Sequence, residues 1–472
     1  MLQVSEKEIK NRLAFDNPWW NSSEGIDSDV RNLPKRAYFR PFMELVSQTD
    51  VNRAVILLGP RRVGKTVILK QTVQALLDRG EQAERIFYVS IDNPIYTGLG
   101  LERLLELFVD QHGHEKFSQL FLLFDEIQYL KDWEAHLKSL IDSYPQFRFV
   151  CSGSAAAALR LKSQESGAGR FTEFMLPPLM FSEYLSFIGQ EDRLFGLNTE
   201  DDEPTIRLLP DDVEELNQEF VRYLNIGGLP EVVYSKTIRQ NMERYVREDI
   251  VDRVLLSDLP SLYGIADTQG LNRLFAMIAY NTGSEVSLEG LSQASGIAKN
   301  TIRRYLDYLE AAFLIHRVRR IDENAKNFER ITRFKLYLTN PCLRTSLFGP
   351  VNPDDEAMGR LAETALYAQI CYSRLRKGLR YARWRNGEVD LVLLDAARQK
   401  PEVAVEIKWS DRQADQPEEL EQLLHFCKSN RLEEAYVTTR SKIEMFTTDG
   451  IAVRFSPVAY WCYSINKQTM EP

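Results

Sequence analysis

Eight consecutive residues, Gly59-Pro60-Arg61-Arg62-Val63-Gly64-Lys65-Thr66, have the types and spacing needed to hold a chain of phosphates. They read G-x-x-x-x-G-K-T, and the apolar run Ala54-Val55-Ile56-Leu57-Leu58 stands directly before them. Strand, loop and helix in that order are what a Walker A phosphate loop requires. The two glycines let the backbone curl so that its N–H groups turn inward onto phosphate oxygens. Lys65 is placed to reach the β- and γ-phosphates, and the Thr66 hydroxyl to bind Mg²⁺. The helix opening through Lys65, Thr66 and Val67 adds its positive end. ATP with Mg²⁺ is the expected ligand.

Carboxylates follow at a suitable distance. Leu120-Phe121-Leu122-Leu123-Phe124 reads as a buried central strand and ends in Asp125-Glu126. Acids at the C-terminal edge of a parallel strand stand where nucleotide chemistry occurs in an open α/β sheet. Asp125 is expected to hold Mg²⁺ through water, and Glu126 to polarise the water that attacks the γ-phosphate. The strand Phe147-Arg148-Phe149-Val150-Cys151 ends in Ser152-Gly153-Ser154. Ser152 or Ser154 can serve as a polar sensor there, although a plain turn needs the same residues. Arg170, before the strand Phe171 to Leu176, is the candidate for an arginine finger supplied by a neighbouring subunit, with Arg160 in reserve. A finger in trans implies a ring-like homo-oligomer, with a hexamer one option.

Two further constellations lie downstream. Ser287 to Gly296 reads as a short helix, and Lys299 to Phe313 as a longer one with an apolar stripe of Ile302, Leu306, Leu309 and Phe313. The strand Leu314 to Ile321 follows, which is the order of a winged helix-turn-helix. Lys299, Arg303 and Arg304 on the longer helix, with Arg317, Arg319 and Arg320 on the wing, are candidate DNA contacts. A winged helix that contacts only protein is the alternative. Further on, Glu363 lies on an expected helix from Met358 to Tyr372. Asp390 precedes the strand Leu391-Val392-Leu393-Leu394, and Val405-Glu406-Ile407-Lys408 ends the next. Glu406 and Lys408 are two apart and share a strand face. Asp390 and Glu406 can then bind Mg²⁺, with Glu363 and Lys408 beside them, as in a nuclease; the same fold without catalysis is equally open.

The elements that must position these groups alternate from about 46 to 188. Strands are expected at 54–58, 86–91, 120–124 and 147–151, with helices near 66–79, 100–112 and 131–143. That spacing gives βαβ units and a parallel sheet. The expected fold is thus α/β: a P-loop core (46–190), an acidic linker and helical lid (191–265), a winged helix (266–330) and a restriction-endonuclease-like α/β tail (335–465). Residues 1–45 form an N-terminal arm, in which Arg36-Ala37-Tyr38-Phe39-Arg40 either meets the nucleotide base or docks loosely. Gly227-Gly228-Leu229-Pro230-Glu231 breaks the lid; Pro230 either stacks on adenine or simply turns the chain.

At 472 residues the chain is too long for one core. Its 44% apolar and 27% charged residues are ordinary for a globular protein. A net charge of −9 excludes a globally basic nucleic-acid binder but leaves room for a local basic face. The apolar runs are too short to cross a membrane, and the first residues lack the apolar core of a secretory signal. Five scattered cysteines without Cys-x-x-Cys spacing suit a reduced, cytoplasmic protein.

Taken together, these motifs resemble the prokaryotic AAA-type ATP-binding proteins that carry a C-terminal DUF4143 domain. The matching strings are 59–66, Leu-Phe-Asp-Glu-Ile-Gln at 123–128, Ser-Gly-Ser at 152–154 and Gly-Arg at 169–170. Gly-Gly-Leu-Pro-Glu at 227–231, Gly-Glu-Val-Asp at 387–390 and Val-Glu-Ile-Lys at 405–408 complete them. The resemblance implies P-loop ATPase activity, a winged-helix region, a PD-(D/E)xK nuclease-like tail and adenine contact by Gly-Leu-Pro. Three functions remain open: an ATPase acting on branched or broken DNA, a nucleotide-gated switch or scaffold for protein partners, and an ATP-controlled Mg²⁺ nuclease.

Overall fold

Strand β1 (Ala54–Leu58) is buried along its whole length, as five successive apolar residues require of a strand covered on both faces. A computed structural model of the chain describes residues 5–48, 50–96, 98–153, 169–198, 205–206, 212–326 and 333–469. It divides into two units, residues 1–177 and 178–471.

In the first unit β1 is joined by β2 (Ile86–Ser90), β3 (Leu120–Asp125), β4 (Phe147–Gly153) and β5 (Phe171–Met175) in a parallel sheet of order β2-β3-β4-β1-β5. Helices α1 (Lys65–Asp78), α2 (Leu101–His112) and α3 (Trp133–Ser143) connect the strands. In α2 the buried residues Leu101, Leu104, Leu105 and Phe108 recur at helical spacing, giving one apolar stripe for the sheet. The parallel core thus agrees with the expected α/β class. Strands β3 and β4 each run further than their apolar residues, and so carry Asp125 and Ser152 inside the sheet edge.

The N-terminal arm is firmly docked, against the expectation of a loose one. Asn17 is fully buried; its side-chain amide donates to the Tyr88 carbonyl at 2.8 Å and its carbonyl accepts from the Tyr88 N–H at 2.7 Å. Trp19 and Trp20 both donate to the Ile86 carbonyl, at 3.0 and 2.9 Å. These bonds cover the open edge of β2, which otherwise exposes unpaired backbone groups. Asn17→Leu strands two buried Tyr88 backbone groups and is expected to cost about 1–3 kcal/mol. A fall in the urea midpoint of unfolding checks this; an unchanged midpoint refutes the docked arm.

The second unit contains helix α4 (Val213–Ile226), helix α5 (Thr268–Tyr280), strand β6 (Glu285–Ser287), and helices α6 (Leu288–Ser295) and α7 (Lys299–Ala311). The Ser287 hydroxyl caps α6 by accepting from Gly290 N–H at 3.0 Å, and Gly296 ends it at φ +72°. Ile302, Tyr305, Leu306 and Leu309 form the buried stripe of α7. Strands β7 (Ile315–Ile321) and β8 (Arg333–Leu338) follow as an antiparallel pair. Then come α8 (Met358–Cys371), β9 (Leu379–Arg383), β10 (Glu388–Leu394), β11 (Pro401–Glu406), α9 (Glu421–Asn430), β12 (Glu434–Thr439), β13 (Glu444–Thr448) and β14 (Ile451–Pro457).

The sequence pattern places a boundary near residue 330, yet β7 pairs in parallel with β9, and among the described residues nine strands form one sheet of order β13-β14-β12-β11-β10-β9-β7-β8-β6. The expected wing therefore has no free outer edge on its β9 side; its backbone groups are satisfied by the tail.

Candidate functional site

The phosphate loop leaves β1 where β5 ends, and that crowding explains its first glycine. A side chain at Gly59 would bring its Cβ to 2.2 Å from the Leu176 carbonyl oxygen. Arg62 and Gly64 both take left-handed backbone, at φ +64° and +96°, which turns the loop into the N-terminus of α1. Lys65 is buried, and its ammonium donates to the Gly59 and Pro60 carbonyls at 3.1 and 2.8 Å. Pro60, Arg61, Val63 and Val67 complete the loop and first turn; the Arg61 guanidinium donates to the Tyr129 hydroxyl at 3.2 Å. Arg36 braces the loop from behind, donating to the Val63 carbonyl at 2.7 Å and to the Pro177 carbonyl at 3.0 Å.

Asp125 is the hub of the site. It is 1% exposed, and three hydroxyls converge on it. Thr66 Oγ1 donates to Oδ2 at 2.7 Å, Tyr88 donates to the same oxygen at 2.9 Å, and Ser152 donates to Oδ1. Burial pushes the Asp125 carboxyl above the usual carboxylate range and the charge of Glu126 adds to this; the three hydroxyl bonds pull the other way. Thr66 and Asp125 together present hard oxygen donors, the donor type Mg²⁺ prefers, so the residues present fit a nucleotide-bound Mg²⁺.

Glu126 follows on a left-handed residue, φ +53°, with its N–H donated to Ser152 Oγ at 3.1 Å and its carboxylate accepting from the Gln128 amide. Ser152 is therefore placed differently from a phosphate-facing sensor. It is fully buried, and its hydroxyl fixes both acids. Ser154 and Arg160 lie outside the described residues. Tyr88 belongs to no motif that the sequence displays, while Gln128 closes the string Leu-Phe-Asp-Glu-Ile-Gln. Tyr88 stands 37 positions before Asp125, so nothing local marks it.

Arg170, expected as a finger for a neighbouring subunit, lies away from the phosphate loop of its own chain. Its carbonyl accepts from Ala54 N–H, at the edge where β1 begins, and its guanidinium pairs with Asp142 at 2.6 Å. A five-residue strand is about 16 Å long, and that length separates Arg170 from the phosphate-loop edge.

In the second unit the candidate DNA contacts separate into two groups. Lys299 is held by Glu289, and Arg317 by Glu310 and Asp307 at 2.7 and 2.6 Å. Arg320 faces the buried Glu285 at 3.6 Å and donates to the Arg383 carbonyl at 2.9 Å. Arg317 and Arg320 are thus structural, because carboxylates from neighbouring elements neutralise them. Arg303, Arg304 and Arg319 are exposed and join no ion pair among the described residues. Pro230 opens a short helix, Pro230–Tyr234, and Gly228 before it lies against Asn340, where a Cβ would come within 2.1 Å of the amide. That turn has a packing reason of its own.

The tail brings its acids together, on the same side, as expected. Lys408 Nζ lies 3.2 Å from Asp390 Oδ2 and 2.7 Å from Glu406 Oε1. Asp390 Oδ2 also accepts from Ile407 N–H at 2.9 Å. A second ammonium, Lys335 from β8, lies 3.0 Å from Glu363 Oε1, 2.8 Å from Glu388 Oε1 and 3.7 Å from Asp390 Oδ1. Burial and the Asp390 charge push the Glu406 carboxyl up to about 7. Asp390 is held below the usual range despite burial, by Lys408 and Lys335. The expected Mg²⁺ at Asp390, Glu406 and Glu363 does not fit this arrangement, because two lysine ammonium groups already stand between the carboxylates. Among the described residues no group of three or more His, Cys, Asp and Glu side chains is gathered to hold a metal.

Residues 51–185 match the family described as AAA domain, and residues 217–354 match a domain of unknown function (DUF8612). The latter differs from the DUF4143 domain that the resemblance implied. An uncharacterized protein of Haemophilus influenzae is 25% identical over 313 residues, 65% of this chain and 72% of that protein. One from Methanocaldococcus jannaschii is 22% identical over 426 residues, 88% of each. Among solved structures, the replication initiator DnaA bound to AMPPCP and single-stranded DNA is similar with a TM-score of 0.29 at 15% identity, over 58% of this chain and 88% of that one. The core of the first unit is thus similar to an AAA domain. Among the described residues no helix is long and apolar enough to cross a membrane.

Proposed function

We propose that the AAA-type core hydrolyses ATP with Mg²⁺, and that the second unit couples this cycle to DNA. The observation that carries the ATPase reading is the convergence of Thr66, Tyr88 and Ser152 on buried Asp125, with Glu126 fixed beside it. A Mg²⁺ bound with the nucleotide would be held by Thr66 and Asp125 and would supply neutralisation of the charge that develops in phosphoryl transfer. The chain's own residues do the rest. The loop N–H groups and Lys65 hold the phosphates, and Thr66 and Asp125 orient the metal's ligands. Glu126 takes up the proton side of the attacking water's hydrogen bond.

The DNA reading is supported by Arg303, Arg304 and Arg319, which are exposed cations on the second helix and strand of a helix-turn-helix order. The homo-oligomeric ring rests on the expectation that Arg170 serves as a finger for a neighbouring subunit. A nucleotide-gated switch binding protein partners is the second reading, favoured by the net charge of −9 and by the internal pairing of Lys299 and Arg317.

The test of the first step is phosphate release from ATP. Wild type is expected to turn over with Mg²⁺ and stop with EDTA, and Lys65→Ala to lose both turnover and nucleotide binding. Wild-type protein that binds ATP but shows no Mg²⁺-dependent release favours the switch; protein that binds no ATP overturns both.

A further inference from the structure

Lys335 has no part in the ATP site, yet it is among the most deeply committed cations of the chain. Its side chain is 5% exposed and comes from β8, outside the segment that supplies the tail's acids. Its ammonium stands among three carboxylates from two elements: Glu363 on α8, and Glu388 and Asp390 on β10. Tyr337, two residues along the same strand face, donates to Glu363 Oε1 at 2.6 Å and fixes that carboxylate in place. On the other side of Asp390, Lys408 bridges to Glu406.

Asp390 therefore gives one oxygen to each lysine, so both of its oxygens face a cation of the chain. The oxygens of Glu363 and Glu388 sit at 3.0 and 2.8 Å from nitrogen, the separation of charge-assisted N–H···O bonds. Mg²⁺ instead draws oxygens to about 2.0–2.1 Å in an octahedron, closer than these ammonium contacts. An ammonium is also a fixed charge that cannot dissociate from its own chain.

We propose that Lys335 occupies the position a divalent cation would take between Glu363 and Asp390, so that this nuclease-shaped tail carries its own cation and does not cut nucleic acid. The same ammonium pins β8 to α8 and β10, which makes the site an ionic tie between these elements. The proposal concerns the second unit alone and stands whether or not the ATPase reading does.

The test is Mn²⁺ uptake without nucleotide, read from the loss of the free-ion paramagnetic signal, on the full-length chain. Lys335→Ala is expected to take up an additional equivalent of Mn²⁺ relative to wild type, and the double variant Lys335→Ala/Asp390→Asn to lose it again. Lys335→Arg, which keeps a cation, is expected to behave as wild type. Wild-type protein is expected to take up the same Mn²⁺ as Asp390→Asn and to leave supercoiled plasmid intact with Mg²⁺ or Mn²⁺. An Asp390-dependent equivalent in wild type, or Asp390-dependent plasmid cleavage, overturns the proposal. So does a folded Lys335→Ala protein that gains no Mn²⁺. Should that variant fail to fold, the comparison of wild type with Asp390→Asn decides alone: an Asp390-dependent equivalent refutes the tie, and its absence supports it.

Discussion

Glu126→Gln is expected to lower ATP turnover by about 10²–10⁴-fold, the range a positioned proton acceptor contributes. Nucleotide affinity should stay nearly unchanged. The substitution keeps the shape of the side chain, and the Glu126 N–H bond to Ser152 that holds the turn is a backbone bond. The left-handed φ of +53° is then no harder for glutamine than for glutamate. What changes is the carboxylate, which now cannot polarise water. Asp125 keeps its three hydroxyl bonds, so the Mg²⁺ donors remain. Single-turnover phosphate release measured beside equilibrium ATP binding separates the two effects. Turnover at the wild-type rate removes Glu126 from the chemistry; a failure to bind ATP means that the substitution disturbed Asp125 through Ser152.

Replacing Arg303, Arg304 and Arg319 together by alanine is expected to weaken duplex DNA binding at least ~10-fold at physiological salt. It should also flatten the dependence of log affinity on log salt by about 1 for each phosphate that the variant no longer neutralises. The weakening should be uniform across sequences, since bonds to phosphate carry no base information. Single substitutions of Lys299 or Arg317 should do less to affinity, because Glu289, Glu310 and Asp307 already neutralise them. Arg317→Ala should instead destabilise, by leaving Glu310 and Asp307 without their cation. Titrations of labelled duplex, single-stranded and junction DNA across salt, with and without ATP, check this. An unchanged slope in the triple variant moves the DNA site elsewhere, and a wild type that binds none of the three removes DNA from the reading and leaves protein partners.

The phosphate loop, the Asp125-Glu126 pair and the parallel core were legible in the sequence because each is local. A loop that wraps phosphate needs its glycines, lysine and threonine within one turn of chain, and a buried parallel strand shows as an unbroken apolar run. The helices α6 and α7 were legible for the same reason: a cap at Ser287, a stop at Gly296 and an apolar stripe at helical spacing. Charge partners left no such local mark. Sequence shows Lys299, Arg303, Arg304, Arg317 and Arg319 alike as basic. Only the fold showed that Arg317 lies against the acids of the helix before it, while Arg303, Arg304 and Arg319 face outward.

What the amino-acid order displayed by itself was the phosphate-loop motif, and Glu406 and Lys408 two positions apart in one segment. What the tertiary structure decided was who else stands there. Tyr88 and Ser152 reach Asp125 because β4 lies between β1 and β3 and β2 flanks β3 on the other side. Lys335 reaches Glu363, 28 positions away, because β8 joins the tail's sheet. A buried carboxylate must be neutralised by some cation, and the sequence stated that need without naming the source. Long-range strand order has no signature in local spacing, so the placing of Lys335 among these acids was decided by the sheet.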